Sequence, residues 1–150
     1  MPTGSTAIAR TKPSRKSLPA HVLLVEDEAV LGMLIEDALR AAGVAEVDTC
    51  STTDSALAAL RRKQPDAIVL DVHLADRDDG WAIAELVKTL GPDSPRIIFS
   101  TGQPEDIPAN IAEMGSVLEK PYEPAVLVDL LSQPEKRGVI SRLRGALRPS

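Results

Sequence analysis

The sequence predicts one α/β domain organised on a doubly wound parallel sheet. Residues 21–25 and residues 67–70 are almost wholly apolar, and short runs of this kind are typical of strands buried on both faces of a parallel sheet. Segments in which apolar residues recur at helical spacing alternate with these runs, which is the pattern of successive βα units. The chain has 150 residues, 43% of them hydrophobic, so it can bury one substantial core but is too short for two domains of ordinary size.

Short apolar runs bounded by polar or turn-forming residues predict five strands. They lie at residues 21–25, 45–50, 65–71, 95–101 and 116–120. A helix is predicted after each strand, with apolar positions within residues 31–42, 56–60, 83–90, 107–114 and 127–131. Strict alternation with short connections implies right-handed crossovers and helices on both faces of the sheet.

Local signals mark where several of the helices begin and end. Gly43 is a natural stop for the first helix, and Ser51 and Asp54 have the spacing of a capping box at the start of the second helix. Pro104 and Pro108 confine the fourth helix to a short element that starts late, because proline is tolerated only in the first turn of a helix.

The charge distribution divides the chain into basic ends and an acidic body. The formal net charge is −5, yet residues 1–20 contain four basic residues and no acid, and residues 134–150 contain five basic residues and one acid. An acidic body argues against nucleic-acid binding, because a phosphate backbone requires a positive face. The single cysteine excludes an internal disulfide framework. No apolar run has the length of a membrane span or a signal peptide, so we expect a cytoplasmic protein.

Chemically reactive side chains fall at the carboxyl ends of the predicted strands. Glu26 and Asp27 follow the first strand, and Asp71, Thr101 and Lys120 end the third, fourth and fifth strands. If the sheet has the flavodoxin-like order 2-1-3-4-5, these ends meet where the strand order reverses, which is where open α/β sheets bind ligands. Three carboxylates in one shallow cleft repel, and a divalent cation would relieve that repulsion. Few protein ligands, with positions open for water and phosphate oxygens, suit Mg²⁺ better than Ca²⁺.

These motifs, in this order along the chain, resemble the receiver domain of two-component response regulators. The resemblance covers about residues 20–133 and implies the fold described above. It also implies a magnesium site in which Glu26 and Asp27 are the metal-binding acid pair. Asp71 and the main-chain carbonyl of His73 would complete the protein ligands.

The same resemblance implies that Asp71 becomes an aspartyl phosphate. Thr101 would be the switch hydroxyl, and Lys120 with Pro121 would be the Lys-Pro pair of the family. These residue types suit the chemistry, because phosphoryl transfer to a carboxylate depends mainly on positioning and charge neutralisation. We therefore expect a signalling protein rather than an enzyme. Its donor would be a sensor histidine kinase or a histidine phosphotransfer protein, and its output an unidentified protein downstream.

Each of these residues also has a simpler interpretation. Lys120 could be a solvated lysine, Thr101 could satisfy its own backbone, and Glu26 could be an acid favoured by a helix N-terminus. The imidazole of His73 fits a surface loop better than a phosphotransfer or metal-binding group. The coincidence of four motifs at one edge of the predicted sheet favours the functional interpretation.

The sequence is consistent with more than one role in signalling. We expect a single-domain response regulator that acts through protein contacts once it is phosphorylated. One alternative is a phosphate shuttle or sink, which takes phosphate from one histidine and returns it to another. A second is a phosphorylation-independent scaffold with a vestigial site, which the intact set of acids, threonine and lysine argues against. No sequence feature decides between effector and shuttle.

Three departures from the family pattern are present, and two of them, Val117 and Gly102 where Ala is commoner, affect the predicted switch. Val117 stands three residues before Lys120, where the family usually has Tyr or Phe, so no ring is available to move when Thr101 engages phosphate. The segment 102–109, with its glycine and prolines, is therefore the expected mobile element, and we expect it to become ordered on phosphorylation. The loop over residues 71–80 is one residue longer than in most receivers.

The two ends of the chain lie outside the predicted domain. Residues 1–19 are rich in Pro, Ser, Thr, Lys and Arg without periodicity, so we expect a flexible basic arm. Residues 134–150 have the pattern of a basic amphipathic helix that could contact a membrane surface or a partner. Gly138 and Gly145 favour a frayed tail over membrane contact.

Overall fold

The computed structural model describes residues 18–73, 81–135 and 141–143. Its centre is a parallel sheet with the strand order β2-β1-β3-β4-β5-β6. This confirms the predicted doubly wound order 2-1-3-4-5 and adds a strand beyond β5. The strands are β1 (His21–Val25), β2 (Glu46–Cys50), β3 (Ala67–Asp71), β4 (Arg96–Thr101), β5 (Ser116–Glu119) and β6 (Ser141–Leu143).

Helices connect the strands and cover both faces of the sheet. They are α1 (Ala29–Ala42), α2 (Thr53–Arg62), α3 (Trp81–Lys88), α4 (Ala109–Ala112) and α5 (Pro124–Leu131), with a 3-10 helix at Pro104–Asp106. α1 ends at Gly43 as predicted, because its φ of 114° lies in the left-handed region that glycine adopts without strain. The fourth helix is as short as its prolines predict. Within the described ranges, no helix has the length and apolar character needed to cross a membrane.

The central strands β1, β3 and β4 are buried on both faces, as their largely apolar composition predicts, whereas β2 is only partly buried. On one face, Leu23, Ile68 and Phe99 pack with residues of α2, α3 and α4. On the other face, Leu24 and Val69 pack with residues of α1 and α5. Neighbouring residues of a strand point to opposite faces, so β1, β3 and β4 each contribute to both cores. The carboxyl ends of β1 and β3 are therefore held between two packed layers.

The sixth strand was not predicted. Ser141–Leu143 pairs in parallel with β5, with Val117 opposite Arg142. The sequence suggested a helix for this part of the tail, and that prediction is wrong for residues 141–143. The unpaired N–H and C=O groups of an edge strand favour pairing with another strand, and this outweighs the weak helical tendency of a segment that contains two glycines.

The start of α2 also differs from the prediction. The capping box joins Thr52 to Ser55, not Ser51 to Asp54. The Ser55 N–H donates to Thr52 Oγ1 at 3.0 Å, and the Thr52 N–H donates to Ser55 Oγ at 3.2 Å. Thr52 has the extended backbone of an N-cap, with φ −135° and ψ 161°, which brings the residue three positions later within reach.

Three predictions fall on residues outside the described ranges. They are the flexible arm over residues 1–17, the longer loop over residues 74–80, and the remainder of the basic tail over residues 136–140 and 144–150.

Candidate functional site

Acids from two neighbouring strands meet at one edge of the sheet. Glu26 and Asp27 follow β1, and Asp71 is the last residue of the adjacent strand β3. A carboxylate oxygen from each of these residues lies within 4.8 Å of the others. Glu26 and Asp71 are only 3% and 4% exposed, so their charges face little water. The structure therefore brings together the three carboxylates that the sequence places at strand ends.

Lys120 lies among these carboxylates. It follows β5, and its backbone N–H donates to the Thr101 carbonyl oxygen at 2.8 Å, which continues the pairing of β4 with β5. Its Nζ is 3.2 Å from Glu26 Oε2 and 3.4 Å from Asp71 Oδ2. The Lys120–Pro121 peptide bond is cis. One ammonium group thus contacts two buried carboxylates and compensates part of their charge.

Burial and mutual repulsion disfavour the ionised forms of the acids in this cluster. Burial and the charge of Asp71 raise the pKa of Glu26 to about 7, although Lys120 acts in the opposite direction. Burial and Asp71 also raise the pKa of Asp27. Burial alone would lower the pKa of Lys120, but the charges of Asp71 and Glu26 outweigh it and raise that pKa above its ordinary value. An additional cation would therefore be stabilised among these acids.

The two other predicted site residues, His73 and Thr101, have hydrogen-bond or ionic partners of their own. Asp71 Oδ1 accepts the backbone N–H of His73 at 3.0 Å. The exposed imidazole of His73 lies 3.6 Å from Asp106 Oδ2 and is directed to the 3-10 helix, not to the acids. Thr101 is buried at the end of β4, and its Oγ1 accepts the N–H of Gln103 at 3.0 Å. Thr101 thus lies at the carboxyl end of β4, with its hydroxyl hydrogen-bonded to the following loop; its role as the switch residue stays a prediction.

Two contacts near the site were not predicted from the sequence. Glu28 Oε2 lies 3.3 Å from Lys120 Nζ and adds a solvent-exposed carboxylate to the cluster. Ser100 Oγ and Tyr122 Oη form a buried hydrogen bond of 2.9 Å, and burial raises the pKa of Tyr122 to about 12. The available signals were weak: Glu28 extends the acidic run after β1, and Tyr122 is the single tyrosine of the chain.

Val117 is buried in the core where the resemblance would place an aromatic ring. It is 2% exposed and belongs to the same core face as Phe99 and Ile107. The segment after Thr101 contains the short 3-10 helix and leads into α4, with Ile107 packed into the core between them. The ordering of residues 102–109 on phosphorylation stays a prediction.

The sequence matches the profile of the response regulator receiver domain over residues 22–132. The chain belongs to this family. The matched range runs from β1 through α5, so it includes every strand end that contributes a side chain to the acidic cluster.

This receiver domain is similar to other receivers of known structure or curated sequence. CheY4, a chemotaxis response regulator of Vibrio cholerae, is 26% identical with a TM-score of 0.65, over 75% of this chain and 95% of CheY4. The receiver domain of sensor histidine kinase PA1611 of Pseudomonas aeruginosa PAO1, solved with a magnesium ion in its active site cleft, is 28% identical with a TM-score of 0.63, over 75% of this chain and 93% of that domain.

Curated sequences show the same relationship over part of their length. The transcriptional regulatory protein BaeR of Escherichia coli O6:H1 is 36% identical over 111 residues, which are 72% of this chain and 45% of BaeR. The chain spans less than half the length of the first curated relatives it matches. What these relatives share with the chain is therefore the receiver domain.

The acidic cluster fits Mg²⁺, the ion that receiver domains bind. Its three carboxylates are hard oxygen ligands from two adjacent strands, with ligand atoms within 4.8 Å of one another. Burial and the charge of Asp71 raise the pKa values of Glu26 and Asp27, so a bound cation would stabilise their ionised forms. Mg²⁺ is usually held by one or two carboxylates and retains several waters, so this small donor set is sufficient.

Proposed function

We propose that this receiver accepts a phosphoryl group on Asp71 from a phosphohistidine of another protein. The position of the Asp71 carboxylate supports this assignment. Oδ1 is held by the His73 N–H at 3.0 Å, and Oδ2 lies 3.4 Å from Lys120 Nζ, beside Glu26 and Asp27. A buried carboxylate fixed between a cation and two further acids is oriented for reaction rather than for capping a loop.

The transfer step balances without a further reactant. An oxygen of Asp71 forms a bond to phosphorus as the bond from phosphorus to the donor imidazole nitrogen breaks. That nitrogen keeps the electron pair, and the imidazole, protonated on its other nitrogen, leaves neutral. When bound to Glu26, Asp27, Asp71 and the main-chain carbonyl of His73, Mg²⁺ supplies charge neutralisation for the phosphoryl oxygens.

Lys120 and Thr101 stabilise the product. The Lys120 ammonium is compact and sits on a flexible stem, so it can turn from Glu26 to a phosphoryl oxygen when that group arrives. The Thr101 hydroxyl accepts the Gln103 N–H, which leaves its own hydrogen available to donate to phosphate. Each contact compensates negative charge that would otherwise accumulate in a buried site.

An exposed apolar face beside the acids supports docking of a protein donor. Val30, Met33 and Leu34 on α1 are 71%, 64% and 52% exposed. Met33 lines the same cleft as Glu26 and Asp27. Large apolar side chains grouped at the surface mark protein-binding sites. We assign this face to the phosphodonor, either a sensor histidine kinase or a histidine phosphotransfer protein.

The phosphorylated receiver acts as a cytoplasmic signalling module through protein contacts, not as an enzyme and not by binding nucleic acid. The acidic character of the body supports the last point. A phosphate shuttle that returns the phosphoryl group to a second histidine is the alternative, because the same acceptor and docking face would serve both roles. A scaffold with a vestigial site is disfavoured, because the acids and Lys120 are in contact.

Replacing Asp71 tests the acceptor. Asp71→Asn keeps the size of the side chain and an acceptor for the His73 N–H but removes the anionic nucleophile. Labelling by acetyl phosphate or by a phosphorylated kinase in Mg²⁺ should fall to background. Glu28→Gln, which changes a nearby exposed acid, should retain labelling. Undiminished incorporation in Asp71→Asn would place the acceptor elsewhere.

Replacing Asp27 tests the proposed Mg²⁺ ligands with the same labelling assay. Asp27→Asn removes a ligand charge from a hard-cation site, so Mg²⁺ affinity and phosphorylation should fall together. Magnesium titration, monitored by tryptophan fluorescence or calorimetry, measures the Mg²⁺ affinity. The time course of labelling measures phosphorylation. Lost phosphorylation with unchanged Mg²⁺ affinity would remove Asp27 from the ligand set.

A further inference from the structure

We propose a second metal site, for a transition-metal ion such as Zn²⁺, at the amino-terminal ends of β1 and β2. Its ligands are His21, Glu46 and Asp48, which each offer a ligand atom within 4.8 Å of the others. His21 begins β1 and Glu46 begins β2, whereas the phosphorylation site lies beyond the carboxyl ends of the strands. The proposal is therefore independent of the phosphoryl chemistry.

The pairing of β1 with β2 places the three ligands on one face. His21 is in register with Glu46, and Asp48 follows Glu46 by two residues, so the three side chains point to the same side of the sheet. The backbone of His21 is fixed further by Asp66, whose Oδ2 accepts its N–H at 3.0 Å. Ligands carried on adjacent strands are held more precisely than ligands on loops.

The distances between ligand atoms match a tetrahedral ion after small rotations. His21 Nε2 is 2.8 Å from Asp48 Oδ2 and 3.8 Å from Glu46 Oε2. Ligands bound about 2.0 to 2.2 Å from tetrahedral Zn²⁺ lie about 3.4 Å from one another. The two observed distances fall on either side of that value. Glu46 and Asp48 are 42% and 41% exposed, so their carboxylates can rotate and water can supply the fourth ligand.

The arrangement offers a cation one nitrogen and two carboxylate oxygens as ligands. A proton on His21 Nε2 satisfies Asp48 at 2.8 Å but is too far from Glu46 to satisfy it as well. Lys63 Nζ binds Glu46 Oε1 at 2.7 Å, which leaves Glu46 Oε2 facing the ring. A divalent ion on the Nε2 lone pair would be bound by both carboxylates at once. One imidazole with two carboxylates favours Zn²⁺ and its neighbours over Mg²⁺, which prefers oxygen ligands alone.

His21 is positioned to act through this one nitrogen. Its side chain is 8% exposed, and among the described residues Nδ1 has no hydrogen-bond partner. Among the described residues, the ring therefore makes its polar contacts through Nε2, on the side where Glu46 and Asp48 lie. A bound ion would join the first residues of β1 and β2 and stabilise the folded domain by mass action.

Zinc titration of the intact chain in saturating Mg²⁺ tests the proposal. Magnesium occupies the acids near Asp71, so calorimetry should then detect one zinc ion per chain. His21→Val and Asp48→Asn should each weaken zinc binding by at least about tenfold. Asp48→Asn keeps an acceptor for His21 Nε2, so its folding should be unaffected, as circular dichroism would verify. His73→Ala removes the only other histidine and should leave zinc affinity unchanged.

Nitrogen-15 NMR of the histidine side chains gives a second readout. Zinc should shift the Nε2 resonance of His21 and leave that of His73 in place. The proposal is overturned if zinc does not bind, if zinc binds equally to wild type, His21→Val and Asp48→Asn, or if the shift is confined to His73. These outcomes do not bear on Asp71, because its phosphorylation is measured in Mg²⁺ without zinc.

Discussion

At the scale of single residues, two hydroxyl groups form a buried polar contact beside the acidic cluster. Ser100 is registered with Asp71 across β4 and β3, and its Oγ lies 2.9 Å from Tyr122 Oη. Ser100 is fully buried and Tyr122 nearly so. A hydrogen bond of this kind contributes modestly, but leaving one partner buried without the other costs more. The two hydroxyls should therefore behave as one unit.

A double-mutant cycle tests that unit. Tyr122→Phe and Ser100→Ala should each lower the free energy of unfolding by about 1 to 3 kcal/mol, because each leaves one hydroxyl buried and unpaired. The double variant should lose less than the sum, with a coupling energy of about 1 kcal/mol. Urea denaturation monitored by circular dichroism measures all four proteins. Strictly additive losses would show that the hydroxyls do not depend on each other.

The sequence predicts which residues reach the site better than it predicts their contacts. Glu26, Asp71 and Lys120 could be identified because strand ends in a parallel sheet converge. The contact of Glu28 with Lys120 depends on the rotamers of two long side chains, which no spacing specifies. The pair of Ser100 and Tyr122 joins positions 22 residues apart, and neither residue lies in a pattern that reveals its partner.

At the scale of elements, the central strands were predictable because each contains a run of at least three consecutive apolar residues. β1, β3 and β4 are buried on both faces, so composition alone identifies them. β6 was not predictable, because three residues of mixed polarity have no periodicity and their conformation depends on the exposed edge of β5. The capping box was misplaced by one residue, because Ser, Thr and Asp at residues 51–54 are all acceptable N-caps.

Gly115 shows how closely the start of β5 approaches β4. A Cβ built at Gly115 would overlap the carbonyl group of Ile97, which is backbone and cannot rotate away. Gly115→Ala should therefore destabilise the fold by about 1 to 3 kcal/mol, as overpacking does elsewhere. Gly102 is the matched control, since a Cβ there meets nothing within 4 Å, and Gly102→Ala should change stability by less than about 0.5 kcal/mol. Equal stability of the two variants in urea denaturation would contradict the close approach.

At the scale of the whole molecule, the parallel sheet separates two groups of titratable side chains. Glu26, Asp27 and Asp71 lie at the carboxyl ends of β1 and β3, whereas His21 lies at the amino-terminal end of β1. The alternation of strands and helices predicted this polarity, since parallel strands place all their carboxyl ends at one edge. The balance of charge within each group could not be predicted, because it depends on burial and on distances between side chains.

That charge balance makes the stability of the metal-free domain depend on pH. In the unfolded chain the Glu26 carboxyl loses its proton near pH 4.5, whereas in the folded, metal-free protein burial and Asp71 raise its pKa to about 7. Between these values the folded state holds more protons than the unfolded state, so stability falls as pH rises. Below about pH 4.5 both states are protonated, and above about pH 7 neither is. Asp27, whose pKa is also raised, acts in the same direction.

Magnesium should reverse this loss, because it binds the ionised carboxylates of the folded state only. A hundredfold excess of a ligand over its dissociation constant stabilises a folded protein by about 2.7 kcal/mol. The increment in stability due to Mg²⁺ should grow as protons leave Glu26 between about pH 4.5 and about pH 7. Thermal unfolding at a series of pH values, in metal-free buffer and in excess Mg²⁺, measures this increment in stability. Glu26→Gln cannot ionise at this position, so its metal-free stability should vary less with pH over the same range. A melting temperature indifferent to Mg²⁺ at pH 7.5, or an increment that shrinks as pH rises, would mean that these carboxylates do not form one cation site.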